Sequence, residues 1–177
     1  HGVREHRPVR LEVVGPGRKE WRKELQHLVR KLDLTEAVTL REAVAPAEVP
    51  ALLQAAEICV APLAYTERNV VQGCCPIKVL EYMAAGRPIV AARVPPVAEV
   101  LRHEETGLLY KPDKPRRLTD ELLRLLDDPA LARRLAEAAA REVRERFTWE
   151  HHNRAVCRAY QELFPLFPTV PVASPQP

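Results

Sequence analysis

Aromatic residues make up only 5% of this 177-residue chain, so its core has to be built mostly from Leu, Val and Ala. No apolar run approaches the roughly 20 residues of a membrane span, and no signal peptide is visible. The four cysteines, Cys59, Cys74, Cys75 and Cys157, form no Cys-x-x-Cys pair and no zinc spacing. A vicinal Cys74–Cys75 disulfide would be strained, and free thiols of a reducing cytoplasm are the expectation. The adjacent His151 and His152 cannot share a helix face, so no metal site is read there. No basic stripe interleaved with aromatics occurs. The net charge is +3, and the arginines Arg116, Arg117, Arg133, Arg134 and those of 141–146 share helices with acids. They read as solvated faces, and nucleic acid is not expected as a partner. An initiating methionine is absent too. The chain starts His1-Gly2-Val3 and reaches a strand by Leu11, which suggests a fragment of a longer polypeptide.

What is present is alternation. Leu11-Glu12-Val13-Val14-Gly15 reads as a strand that ends in the turn Gly15-Pro16-Gly17. Trp21, Leu25, Leu28, Val29 and Leu32 follow at helical spacing. Strands are expected at 38–40, 57–61, 89–92 and near 108–110, with short helices at 49–56 and 97–101. The connection 63–75 is polar and long, as functional loops often are. The last third is helical, with Asp128 and Thr148 as N-caps and Pro129 at a first helical position. Residues 1–164 form one domain, and the proline-rich 165–177 reads as a disordered tail. Strands alternating with helices imply an α/β fold with a parallel, doubly wound sheet, whose ligands bind beyond the carboxyl ends of the strands. Gly15 turns at such an end. It lacks a full Gly-x-Gly-x-x-Gly pattern, because Glu20 stands where the third glycine would be.

The densest segment is Gly73-Cys74-Cys75-Pro76-Ile77-Lys78-Val79-Leu80-Glu81-Tyr82-Met83-Ala84-Ala85-Gly86-Arg87-Pro88. Pro76 suits the first position of a helix, and Gly86 the left-handed position just past its end. Lys78 falls in the first turn, where free N–H groups already carry partial positive charge. A cation there is mildly unfavourable unless an anion binds, so the free N–H groups of the helix start and Lys78 together suit a phosphate site. Glu81, on the face of Lys78, can accept two hydrogen bonds from vicinal sugar hydroxyls. The competing reading is a solvated Lys78–Glu81 ion pair worth about 0.2–0.5 kcal/mol.

Taken in order, these motifs resemble the C-terminal, donor-binding domain of retaining glycosyltransferases of the two-Rossmann-domain (GT-B) architecture, glycosyltransferase family 4. They run from Val14-Gly15-Pro16-Gly17 through 38–40, Ala61-Pro62, 76–91 and Glu105-Thr106-Gly107-Leu108-Leu109 to Phe147-Thr148-Trp149. The resemblance implies transfer of a sugar from a UDP-, GDP- or ADP-sugar to an acceptor hydroxyl with retention, without a cofactor or catalytic metal. Glu81 becomes the ribose ligand. Backbone near Cys75, Pro76, Ile77 and Lys78 faces the phosphates or sugar. Gly15 lies on the donor side, and backbone at Glu42, Ala43 and Val44 lies near the base.

Two departures follow. Gly73 stands eight positions before Glu81, where many members carry a sugar-binding glutamate, so that role is vacant or passes to Asn69, Gln72 or Cys74. The family's first strand, with a phosphate-gripping Arg and Lys, would precede His1. The sheet should then be missing its first strand, showing a gap or a rearranged pairing. The N-terminal acceptor domain would be missing as well, the isolated chain inactive, and no catalytic residue is assigned. The last helix, with Val156, Tyr160, Leu163 and Phe164, would have an exposed apolar face or form a homodimer contact. A full-length polysaccharide-building enzyme would be cytoplasmic, with room for peripheral membrane association. The alternatives are a non-catalytic module binding a nucleotide sugar or a partner protein, and a nucleotide-sugar epimerase of the same architecture.

Overall fold

In the computed structural model, residues 1–73 and 75–164 are described. A 3-10 turn at Gly2–Glu5 leads to β1 (Leu11–Val14), α1 (Lys19–Lys31) and β2 (Val38–Arg41). Next come α2 (Val49–Ala55), β3 (Cys59–Ala61), α3 (Glu67–Val70), α4 (Ile77–Ala84) and β4 (Ile89–Ala92). The chain continues through α5 (Pro95–Val100), β5 (Leu108–Tyr110), α6 (Pro115–Asp127), α7 (Pro129–Arg146) and α8 (Trp149–Leu163).

The strands are parallel but form two sheets. β1 pairs with β2, Leu11 opposite Val38. β4 lies between β3 and β5, with Cys59 opposite Ile89 and Val90 opposite Leu108. Among the described residues β1 pairs only with β2, and β3 only with β4. A doubly wound sheet ordered 3-2-1-4-5-6 divides into these two pieces when its central strand is left out. Among the described residues the strands thus make two parallel sheets, of two and three strands, rather than one.

The larger sheet carries the core. β4 is wholly buried, and its side chains alternate between faces as a strand's must. Ile89 and Ala91 join Val79, Met83, Val97 and Val143 beneath α4, α5 and α7. Val90 and Ala92 join Leu108, Leu125 and Leu135 on the face covered by α6. On α4, Val79 and Met83 lie one turn apart and reach the same core. The smaller sheet has no comparable interior. Around it only Val29 and Ala37 are buried, and all four residues of β1 are exposed.

Local punctuation follows the sequence closely. Asp128 caps α7 by accepting from Leu131 N–H at 2.9 Å, with Pro129 at the first helical position. Gly86 closes α4 with φ +64°. Its N–H reaches Met83 O and that of Arg87 reaches Tyr82 O, the paired bonds that satisfy a helix end.

Several expectations need correction. Pro76 is the N-cap of α4 rather than its first residue. Glu57 and Ile58 precede β3, and α5 starts two residues before the expected 97. Within 63–75 the chain makes α3, because Thr66 Oγ1 accepts from Asn69 N–H and caps one turn. The arginine-rich end of α7 is not a uniformly solvated face, since Glu142 and Val143 are buried. The apolar side of α8 is exposed, with Tyr160 and Leu163 both largely open. Residues 165–177 lie outside the described residues. Cys59, Cys75 and Cys157 are free thiols.

Candidate functional site

The candidate residues follow the carboxyl ends of parallel strands. β3 runs into the loop that delivers the start of α4, while β1 and β2 end side by side at Gly15 and residues 42–44. Gly15 has φ +146°, and no atom lies within 4 Å of where a β-carbon would sit. Backbone there is open to close approach by a ligand. Its N–H is held by Arg41 O at 3.4 Å. Val44 is half-buried, and Glu42 and Ala43 are exposed.

At the start of α4, Pro76 is buried and its carbonyl accepts from Val79 N–H (2.8 Å) and Leu80 N–H (3.3 Å). Ile77 N–H donates to Cys75 O at 2.9 Å. The described residues offer no backbone acceptor for Lys78 N–H. Ile77, Lys78 and Glu81 are exposed. Among the described residues neither Lys78 nor Glu81 takes part in an ion pair. The competing reading of a closed surface salt bridge is therefore not what the structure contains. A cation, a helix tip and a carboxylate one turn along are left open together.

The loop before α4 is fixed from several sides. Tyr65 N–H donates to Asp113 Oδ2 at 3.2 Å, and α3 rests against α5. Asn69 Nδ2 turns back to donate to Ala64 O at 2.8 Å. Gly73 is exposed with φ +73° and open space around its β-carbon position. A residue with a side chain would be strained there. The loss of the expected glutamate thus goes with a backbone that glutamate would not readily adopt. Of the substitutes considered, Asn69 is engaged with its own loop, Gln72 is exposed and Cys74 lies outside the described residues.

Of the residues named from the sequence, Cys75 and Pro76 lead into α4, and Ile77, Lys78 and Glu81 lie on it. Sequence reasoning missed α3, although Thr66 followed by Glu67 is an ordinary helix-start signal. It also missed Arg22, which ties α1 to the end of β2. No cluster of metal-ligating side chains occurs among the described residues. No helix among them is long and apolar enough to cross a membrane.

The parallel strands, the helices over them and the open helix start define a Rossmann-like C-terminal domain of GT-B type. A profile of the family described as Glycosyl transferases group 1 matches residues 1–128, and the chain belongs to that family. It is similar to alpha-D-kanosaminyltransferase of Streptomyces kanamyceticus, 30% identical over 78% of this chain and 33% of that one. Its fold matches sucrose-phosphate synthase of Thermosynechococcus elongatus with a TM-score of 0.82 at 26% identity, over 94% of this chain and 41% of that chain. HepE of Anabaena, solved in complex with UDP-glucose, matches with a TM-score of 0.80 at 21% identity, over 91% and 43%. The chain spans about a third of the length of the curated relatives it matches.

Proposed function

We propose that this chain is the donor-binding part of a retaining glycosyltransferase that moves a sugar from a nucleotide-diphosphate sugar to an acceptor hydroxyl. The observation that carries the reading is the open start of α4, where Lys78 and Glu81 share a face and, among the described residues, neither takes part in an ion pair. The nucleotide sugar bound by the structurally similar HepE supports it.

In this reading the Lys78 ammonium and the Lys78 N–H at the tip of α4 receive the diphosphate. Their charges are in place before the bond to the sugar breaks. They therefore stabilise the negative charge that grows on the leaving diphosphate, without a metal. Glu81 accepts hydrogen bonds from both ribose hydroxyls and fixes the nucleotide's rotation. Gly15 lets the ligand approach backbone, and residues 42–44 meet the base. The acceptor is chosen by a part of the enzyme outside this chain, so the chain alone is inactive. The reading places the enzyme in the cytoplasm.

Calorimetric titration of Glu81→Ala with UDP, GDP and ADP tests this. Loss of affinity of about tenfold or more is expected, as for removing a carboxylate that accepts two hydrogen bonds. Unchanged affinity would remove Glu81 from the site. A non-catalytic nucleotide-sugar module is the second reading, favoured by the left-handed Gly73 in place of a sugar-binding glutamate. Sugar transfer by a longer polypeptide containing this chain would exclude it.

A further inference from the structure

Arg22 lies on α1, seven residues after Gly15. Its Nη2 donates to Leu40 O at 3.0 Å and lies 3.1 Å from Glu42 Oε1. Its Nη1 reaches Arg41 O at 3.5 Å. One guanidinium thus holds three consecutive residues where β2 ends, and its side chain is only 25% exposed. The Arg41 carbonyl is shared, because Gly15 N–H also points to it. The exits of β1 and β2 therefore meet at the Arg41 carbonyl, which Arg22 also reaches. A planar fork with several donors can span three consecutive residues, whereas the single ammonium of a lysine cannot hold all three positions.

We infer that Arg22 is a positioning residue for nucleotide recognition: it sets the backbone of residues 42–44 so that their peptide groups can read the base. The inference rests on the donor-binding reading and extends it to a side chain that touches no ligand. Without the fork, the carbonyls of Leu40 and Arg41 lose a charged donor, and the backbone leading to Val44 is free to turn. Contacts to the base should then weaken. Contacts to phosphate, made at α4 by other residues, should not.

The test titrates the 177-residue chain with UDP, GDP and ADP, and with pyrophosphate as a probe that lacks the base. Arg22→Met should weaken the preferred nucleoside diphosphate about tenfold while changing pyrophosphate affinity by less than about twofold. Arg22→Lys should recover only a minor part of the loss. Amide hydrogen exchange at residues 42–45 should speed up in both variants while β4 stays protected, which separates a loosened loop from a misfolded chain. Equal losses for nucleotide and pyrophosphate, or no loss for either, would overturn the assignment. If Arg22→Met weakens nucleotide binding but Glu81→Ala does not, the ribose assignment fails and the role of Arg22 stands. A wild-type chain that binds no nucleoside diphosphate overturns both.

Discussion

Glu142 Oε1 lies 2.6 Å from Arg146 Nη1, one turn along α7, and also accepts from Arg102 Nη1 beyond the end of α5. The Glu142 side chain is only 8% exposed, while both arginines reach solvent. A carboxylate buried this far needs partners, and two guanidinium groups supply them at Oε1, while the buried Oε2 has none among the described residues. The turn following α5 is thereby bound to the long helix that covers the core. Glu142→Ala should lower stability by about 2 kcal/mol, less than the loss for a fully buried pair because the arginines are half in water. Either Arg102→Ala or Arg146→Ala alone should cost less, since one partner remains. The double variant should cost more than the sum of the two, which thermal or urea denaturation of all four proteins would show.

Gly73→Glu places a carboxylate at the position where the family resemblance implies a sugar-binding glutamate, and should nevertheless fail to strengthen donor binding. The φ of +73° suits glycine, and a side chain there carries backbone strain of about 1 kcal/mol or more. The expected result is a lower melting temperature with nucleotide affinity unimproved. Tighter binding at undiminished stability would show that the loop readily adopts another conformation.

Cys59 opens β3 and is buried, and burial pushes its thiol up to about 11. It should stay protonated and resist a thiol reagent at pH 8, while the exposed Cys75 and Cys157 react. Modification of Cys59 should require unfolding. The folded state holds this proton more tightly than the unfolded one, whose thiol titrates near 9. The contribution is therefore complete below pH 9 and is lost as pH rises from 9 towards 11, so Cys59→Ala should show a shallower alkaline decline. An identical decline in both proteins would place the alkaline sensitivity elsewhere.

What could be read from the sequence was local. Asp128-Pro129, Gly86 and Thr148 mark helix ends through residues within one turn of each other, and all three act there. The face of α4 was legible for the same reason, because Lys78 and Glu81 are set by helical period alone. Long-range links were not. Arg22 meets β2 across 18 residues of sequence, and Arg102 meets Glu142 across 40. The arginines around Glu142 look like any solvated helix face until the chain is folded. The exposure of α8 fits its strongly amphipathic sequence, but nothing within one helix says what lies against it.

The division of the sheet sets a gradient of stability that hydrogen exchange can measure. β4 is hydrogen-bonded on both edges and has no exposed residue. β1 is bonded on one edge, and Leu11, Val13 and Val14 remain 38–49% exposed. Apolar burial is the main favourable term in folding, so the smaller sheet contributes little and should open without the larger one. Amides of β1 and β2 should exchange through local opening, while those of β4 exchange only on global unfolding. A nucleotide held between Gly15, residues 42–44 and the start of α4 would join the two pieces. Saturating nucleoside diphosphate should therefore slow exchange in β1 and β2 more than in β4. Protection that rises equally in all strands would mean that the two sheets already open as one unit.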